Sequence, residues 1–266
     1  MPLSTGTLDR YIEGASPIHR LDARVKLLLT LAFILTLALV PHGSWLTLAV
    51  AAGVLWLTVH QAWVGLGTII GRSFVALPFA LVAVSLVFSL PGPELARWTL
   101  GPFTLTASST GLIAFVSIVI KSWLSVQAAL LLTATTHFTD VLFALRALRL
   151  PAVLVAILSF AYRYLFVLVD EAGRMLRARE VRSAEVPGRK AGGGLVWRAS
   201  VVGRMVGTLF LRAYERSERI YVAMLSRGFD GEIRTIAVRP LSSYERGLVL
   251  LGLSGLAALA FLAHLL

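Results

Sequence analysis

The chain has 266 residues, 57% of them hydrophobic and 15% charged, with a formal net charge of +11. Soluble domains run at roughly 45–50% apolar and 25% charged, so this composition, with a mean hydropathy of +0.81, excludes an ordinary soluble domain and indicates a membrane protein. The absence of cysteine excludes a disulfide framework, a thiol nucleophile and a cysteine-ligated metal. The pI near 11.0 needs no nucleic acid to explain it, because cytoplasmic loops of membrane proteins collect Lys and Arg.

Residues 1–24 are polar. They contain Asp9, Arg10, Glu13, Arg20, Asp22 and Arg24 where a signal peptide has its apolar core, so no cleaved leader is expected. Leu8, Tyr11 and Ile12 suggest a short surface helix, and His19, Arg20, Arg24 and Lys26 bias this end to the cytoplasm. Val25–Val40 reads as a first span, Pro41–Ser44 as an outside turn without Lys or Arg, and Trp45–Val59 as the return span. Trp45 and Trp63 take the interfacial positions expected of aromatics. Ser73–Leu90 is a third span, kinked at Pro78. In Pro91–Ser108, alternation around Gly101-Pro102 suggests a small external β-hairpin. Ser109–Thr136 is a long fourth hydrophobic helix that must tilt or protrude.

Thr139 can cap a helix over the following Leu142, Leu145 and Leu148, and Pro151 suits the first turn of the next one. Ala152–Val169 has the hydropathy of a span but carries Arg163 between two tyrosines. Four spans from a cytoplasmic N-terminus return the chain inside. A full crossing here would then place the following basic block outside, against the charge bias. The run is therefore read as a helix within or under the bundle that continues unbroken to about Arg182. The stretch 171–240 holds 14 of the 25 Lys and Arg residues. Within it, Ala184–Gly194 reads as a flexible joint, with Gly192, Gly193 and Gly194 as its hinge. A second long helix runs from about Leu195 to Arg227, with an apolar stripe of Val202, Val206, Leu209, Ala213, Ile220 and Met224. Ser242-x-x-Glu245 is a capping box opening a final span, Arg246–Leu266. The fold class is thus an all-α integral membrane protein of about five transmembrane helices plus a cytoplasmic module of long helices. The chain divides into 1–24, a four-helix region 25–136 with the hairpin at 91–108, the helical module 137–240 and the last span 241–266.

The five histidines, His19, His42, His60, His137 and His264, do not share i, i+3 or i+4 spacing, so no metal site is expected. Gly188-Arg189-Lys190 lacks the rest of a phosphate-loop frame, and no serine–histidine–acid set stands out, so no catalytic residue is assigned. Lys121 is an intramembrane charge near Ser117, Ser122, Ser125 and Gln127. It is either functional or buried against helix-end carbonyls or an aqueous crevice. Arg163 is read as structural, stacked on and hydrogen-bonded to its flanking tyrosines. Each long helix ends in an arginine: Val181-Arg182-Ser183 and Ser226-Arg227-Gly228. The second can be a plain helix cap, with Gly228 at the C′ position and Arg227 answering the dipole. Arg227 also continues the stripe of Ile220 and Met224, and Arg182 shares a face with Met175 and Ala178. Two apolar-backed, arginine-tipped helices suit acidic grooves on a soluble partner.

In TATTHFTDVLFALRALRLP, in YRYLFVLVDEAGRMLRAREVRS and in ERSERIYVAMLSRGF, the chain resembles the transmembrane T component of energy-coupling factor (ECF) transporters, most closely the cobalt/nickel-type, CbiQ-like Q subunit. The resemblance spans nearly the whole chain. The family ends its two coupling helices in short X-Arg-X motifs, which map onto residues 181–183 and 226–228. The first ends in Ser where Gly is common in the family, and Ala178-Arg179-Glu180 is a rival register. The resemblance implies a non-catalytic subunit of an ATP-driven importer in the cytoplasmic membrane of a prokaryote. It implies no cofactor in this chain, with ATP and Mg bound by two partner ABC-type ATPases, and a separate S component that captures cobalt or nickel. Three alternatives stay open: a T component shared by vitamin S subunits, a membrane enzyme using Lys121 or Arg163 on lipid, and a stand-alone carrier.

Overall fold

The structure, a computed structural model, describes residues 11–76, 78, 82–100, 103–182, 194–231 and 240–265. Two compact units divide the chain, one formed by 10–144 with 239–266 and the other by 145–238.

The first unit begins with α1 (Pro17–Arg20), α2 (Ala23–Leu39) and α3 (Trp45–Gln61). Ser16 caps α1 through its hydroxyl, which accepts from the His19 N–H, and Asp22 caps α2 by accepting from the Arg24 N–H. The expected surface helix near Tyr11 and Ile12 is not formed. These two residues are non-helical, and the Ile12 N–H donates instead to Ala134 O at 3.0 Å. Leu8 lies outside the described residues.

The third apolar run departs from a single kinked span. Helix α4 (Leu66–Ser73) tightens into a 3₁₀ turn at Phe74–Ala76, and a separate short helix α5 covers Ser85–Ser89. Pro78 accounts for the tightening before it: it has no N–H to donate, and its ring crowds the carbonyl four residues back, at Phe74. Pro78, Val82 and Ala83 are themselves helical, and the break before α5 falls at Val84.

A two-stranded antiparallel hairpin follows, β1 (Glu94–Leu100) and β2 (Phe103–Ser108), with Leu100 opposite Phe103 and an irregularity between Glu94 and Ala96. The chain then enters α6 (Ser109–Thr135), capped by Ser108, whose hydroxyl accepts from the Gly111 N–H. Gly111 is required here by space: a Cβ would lie 2.6 Å from Leu86 O. Helix α7 (Phe138–Ala147) starts one residue before Thr139. The residue ahead of it, His137, does the capping, its carbonyl accepting from the Asp140 and Val141 N–H groups. The His137 ring packs on Tyr11 with ring centres 3.7 Å apart.

Phe33, Leu37, Leu48, Ala51, Leu55, Leu124 and Ala128 form the buried core of α2, α3 and α6. The last helix, α10 (Ser243–Leu265), packs on α2 where Gly252 meets the Leu29 side chain. In lipid, small residues let helices approach when apolar burial alone cannot drive association; Ala51, Ala128 and Gly252 fill that role here.

The second unit is built on two 31-residue helices, α8 (Ala152–Arg182) and α9 (Leu195–Leu225). Each is about 46 Å long at 1.5 Å per residue. Among the described residues, three helices are long and apolar enough to cross a membrane: α6, α8 and α10. By length and composition alone, α8 ranks with spans, although its polar half begins at Asp170.

Candidate functional site

Helices α8 and α9 run antiparallel. Phe160 and Tyr164 face Ile220 and Met224 across an apolar groove of about 290 Å³, and farther along α8 Glu171 meets Arg212. Residue numbers thus rise along α8 as they fall along α9. Leu209, Ala213, Ile220 and Met224 are half-buried, as their place on the stripe requires, but Val202 and Val206 are 44% and 60% exposed. Only the half of the stripe remote from the joint is covered. The facing residues of the two helices therefore lie toward the end of α9 that carries Arg227. Gly194 precedes α9, its carbonyl accepting from the Arg198 N–H; Gly192, Gly193 and Ser183 lie outside the described residues.

The antiparallel course separates the arginine motifs. Val181 and Arg182 close α8 and are exposed. Ser226, Arg227 and Gly228 close α9, with Arg227 exposed. Measured along the helices at 1.5 Å per residue, Arg182 lies about 16 Å beyond Glu171 and Arg227 about 22 Å beyond Arg212, in opposite directions. The two tips are therefore not one cluster but two sites, up to about 38 Å apart.

The α9 terminus is a Schellman motif. The Phe229 N–H donates to Met224 O at 3.1 Å, the Gly228 N–H donates to Leu225 O at 2.9 Å, and Gly228 has φ +78°. The cap thus fixes where Arg227 leaves the helix while its guanidinium faces solvent, so the cap and docking readings of this arginine are compatible.

A polar link crosses the pair. The two Glu171 oxygens accept from different partners: Arg212 Nη1 on α9 donates to Oε1, and Arg174 Nη2, one turn along α8, donates to Oε2, each at 2.5 Å. The Arg174 half of this link is legible as an i, i+3 pair. The Arg212 half required the crossing and was missed.

Lys121 resolves toward helix-end carbonyls. Its ammonium is buried and donates to Val40 O at the end of α2, while the Gly43 N–H donates to Ser117 Oγ at 3.0 Å. Together they latch the α2–α3 turn onto α6. Gln127 Oε1 accepts from Trp56 Nε1 at 3.1 Å. A comparable latch that the sequence reading missed is Lys26, which donates to Thr135 O at 2.7 Å and His19 O at 3.3 Å.

Arg163 departs from expectation. It is exposed, and its neighbours pair elsewhere: Tyr162 with Phe166 and Tyr164 with Phe160. Adjacent residues on a helix do not face each other, whereas i, i+4 residues do.

Among the described residues, no group of three His, Asp or Glu could hold a metal ion. A cavity of about 550 Å³ between α2, α3, α6 and α10 is lined chiefly by apolar side chains such as Leu29, Phe33, Val54, Leu131 and Leu256.

These features define a helical, multi-pass membrane protein carrying a pair of long, polar-ended helices tipped with arginine. The family model described as cobalt transport protein, CbiQ, matches residues 14–236. An ECF transporter transmembrane protein EcfT of Thermanaerovibrio acidaminovorans is 30% identical over 96% of this chain and 95% of its own. The cobalt transport protein CbiQ of Rhodobacter capsulatus is 27% identical over 62% of this chain and 64% of its own. An uncharacterized protein of Methanocaldococcus jannaschii is 26% identical over 86% of this chain and 76% of its own. The chain belongs to the CbiQ family and is a T-type membrane component of the ECF class.

Proposed function

We propose that this chain is the non-catalytic scaffold of an ECF importer, carrying movements of two ABC-type ATPases to a substrate-binding S component in the membrane. In this reading Arg182 and Arg227 each dock one ATPase, and ATP and Mg are bound by those partners. The observation that carries it is the placement of one exposed arginine at the end of each of two antiparallel helices. Two separated cationic tips suit two copies of one acidic groove, and guanidinium offers bidentate contacts to carboxylates. Cobalt or nickel is the proposed cargo, and the match to the family described as cobalt transport protein supports cobalt. The more extensive match to an EcfT protein supports a second reading, a T component shared among several S components.

The docking reading is tested by co-purification from detergent. Arg227→Glu is expected to abolish ATPase association while membrane insertion persists, with a similar but smaller effect for Arg182→Glu. Full ATPase recovery with both residues replaced would overturn it. The S component recovered with the wild-type chain decides the cargo.

A further inference from the structure

We propose that Glu171 is the pivot of the α8–α9 crossing and thereby sets the separation of the Arg182 and Arg227 tips. The inference deepens the docking reading and rests on it.

Three observations converge on this residue. Its two carboxylate oxygens divide between the helices, Oε2 with Arg174 on α8 and Oε1 with Arg212 on α9. Arg174 therefore holds the carboxylate in place while Arg212 is gripped from the other helix. The Glu171 side chain is only 17% exposed, whereas Arg174 and Arg212 are 56% and 58% exposed. The acid is the inner member of the triad, and both cations reach it from solvent.

Finally, the link sits where apolar packing stops. On one side of it Phe160 and Tyr164 face Ile220 and Met224; on the other, Val202 and Val206 are open. Exposed ion pairs contribute little to stability, so a bridge at this position acts on geometry. Near the joint, where packing is sparse, it limits how far the helices splay. A rotation about this point moves both arginine tips at once, since they lie on opposite sides of it.

The natural chain has no cysteine, so paired spin labels can be placed cleanly at Leu176→Cys and Val202→Cys, both on the open side of the pivot. In the full-length chain in detergent, the label–label distance distribution is expected to be narrow. Glu171→Gln or Arg212→Glu should broaden it and lengthen its mean. Inverting all three charges, with Glu171→Arg, Arg174→Glu and Arg212→Glu together, should narrow it again, a rescue that a merely structural role of the carboxylate would not give. Helical circular dichroism and monodispersity establish that each variant is folded. Titration with the ATPase subunits should show affinity about tenfold weaker for Glu171→Gln, restored by the triple inversion. An unchanged distance distribution in Glu171→Gln overturns the pivot. A broadened distribution with unchanged ATPase affinity overturns its role in coupling. Full ATPase binding by Arg227→Glu, in contrast, removes the docking reading while leaving the spin-label result standing.

Discussion

At the residue scale, three residues have roles that the geometry makes testable. Lys121 is a buried cation whose partner is the Val40 carbonyl at the end of α2. Lys121→Met keeps an unbranched side chain one atom shorter but removes the donor to that acceptor. An unsatisfied buried polar group costs about 1–3 kcal/mol, so the variant should unfold several degrees lower in a detergent thermal ramp. If it also retains transport, the lysine has no chemical task. Arg149 closes α7 in the left-handed region at φ +69°, its N–H donating to Arg146 O and the Leu150 N–H to Leu145 O. That is a Schellman ending with a side chain where glycine is preferred. Arg149→Gly should stabilise the fold by up to about 1 kcal/mol, read in the same ramp. Gly228→Ala, at φ +78°, should cost about as much in the opposite direction. It should also weaken ATPase association by disturbing the cap beneath Arg227.

At the element scale, helices with complete local signals were legible from sequence. The Ser242–Glu245 capping box is one: the Ser242 N–H donates to Glu245 Oε2 at 2.8 Å and the Glu245 N–H to Ser242 Oγ at 3.2 Å, opening α10 at Ser243. Ser242→Ala should cost about 1 kcal/mol, seen as a lowered unfolding temperature and faster hydrogen exchange in the first turn of α10. The hairpin was readable because its alternation brackets a Gly-Pro pair. Elements settled by tertiary contact were not readable. The packing of His137, just ahead of α7, on Tyr11 is one of these: the two lie 126 positions apart in the chain and are brought together only by folding. The third apolar run looks continuous in hydropathy, yet a 3₁₀ turn at Phe74–Ala76 and a turn at Val84 interrupt it. Among the site residues, the Arg227 terminus was visible because Gly228 and Phe229 signal a helix end locally. The α8 ending has no such glycine, and Ser183 lies outside the described residues. The antiparallel crossing, which makes two sites of the two arginines, is a property of packing that a stripe on either helix alone does not encode.

At the scale of the whole molecule, the decisive quantity is on which side of the membrane α8 and α9 stand. Length and composition class α8 with the spans, whereas charge opposes a crossing. Arg174, Arg177, Arg179 and Arg182 follow its apolar half closely, while Arg146 and Arg149 precede it. Basic residues at both ends favour the same, cytoplasmic side for each. Arg163 falls near the middle of the apolar run, where a charge facing lipid costs about 2.5–3.5 kcal/mol by insertion scales. An α8 that does not cross keeps both arginine tips in the compartment that holds ATP; one that crosses carries Arg182 out of it, and the reading of two docking tips with it. Because the chain has no cysteine, single cysteines report the outcome directly. His42→Cys, in the exposed turn between α2 and α3, should react with a membrane-impermeant maleimide in intact cells. Leu195→Cys, exposed at the start of α9, should react only after permeabilisation. Labelling of Leu195→Cys in intact cells, with His42→Cys labelled as well, would mean that α8 crosses and that Arg182 faces outward, where no ATPase could reach it.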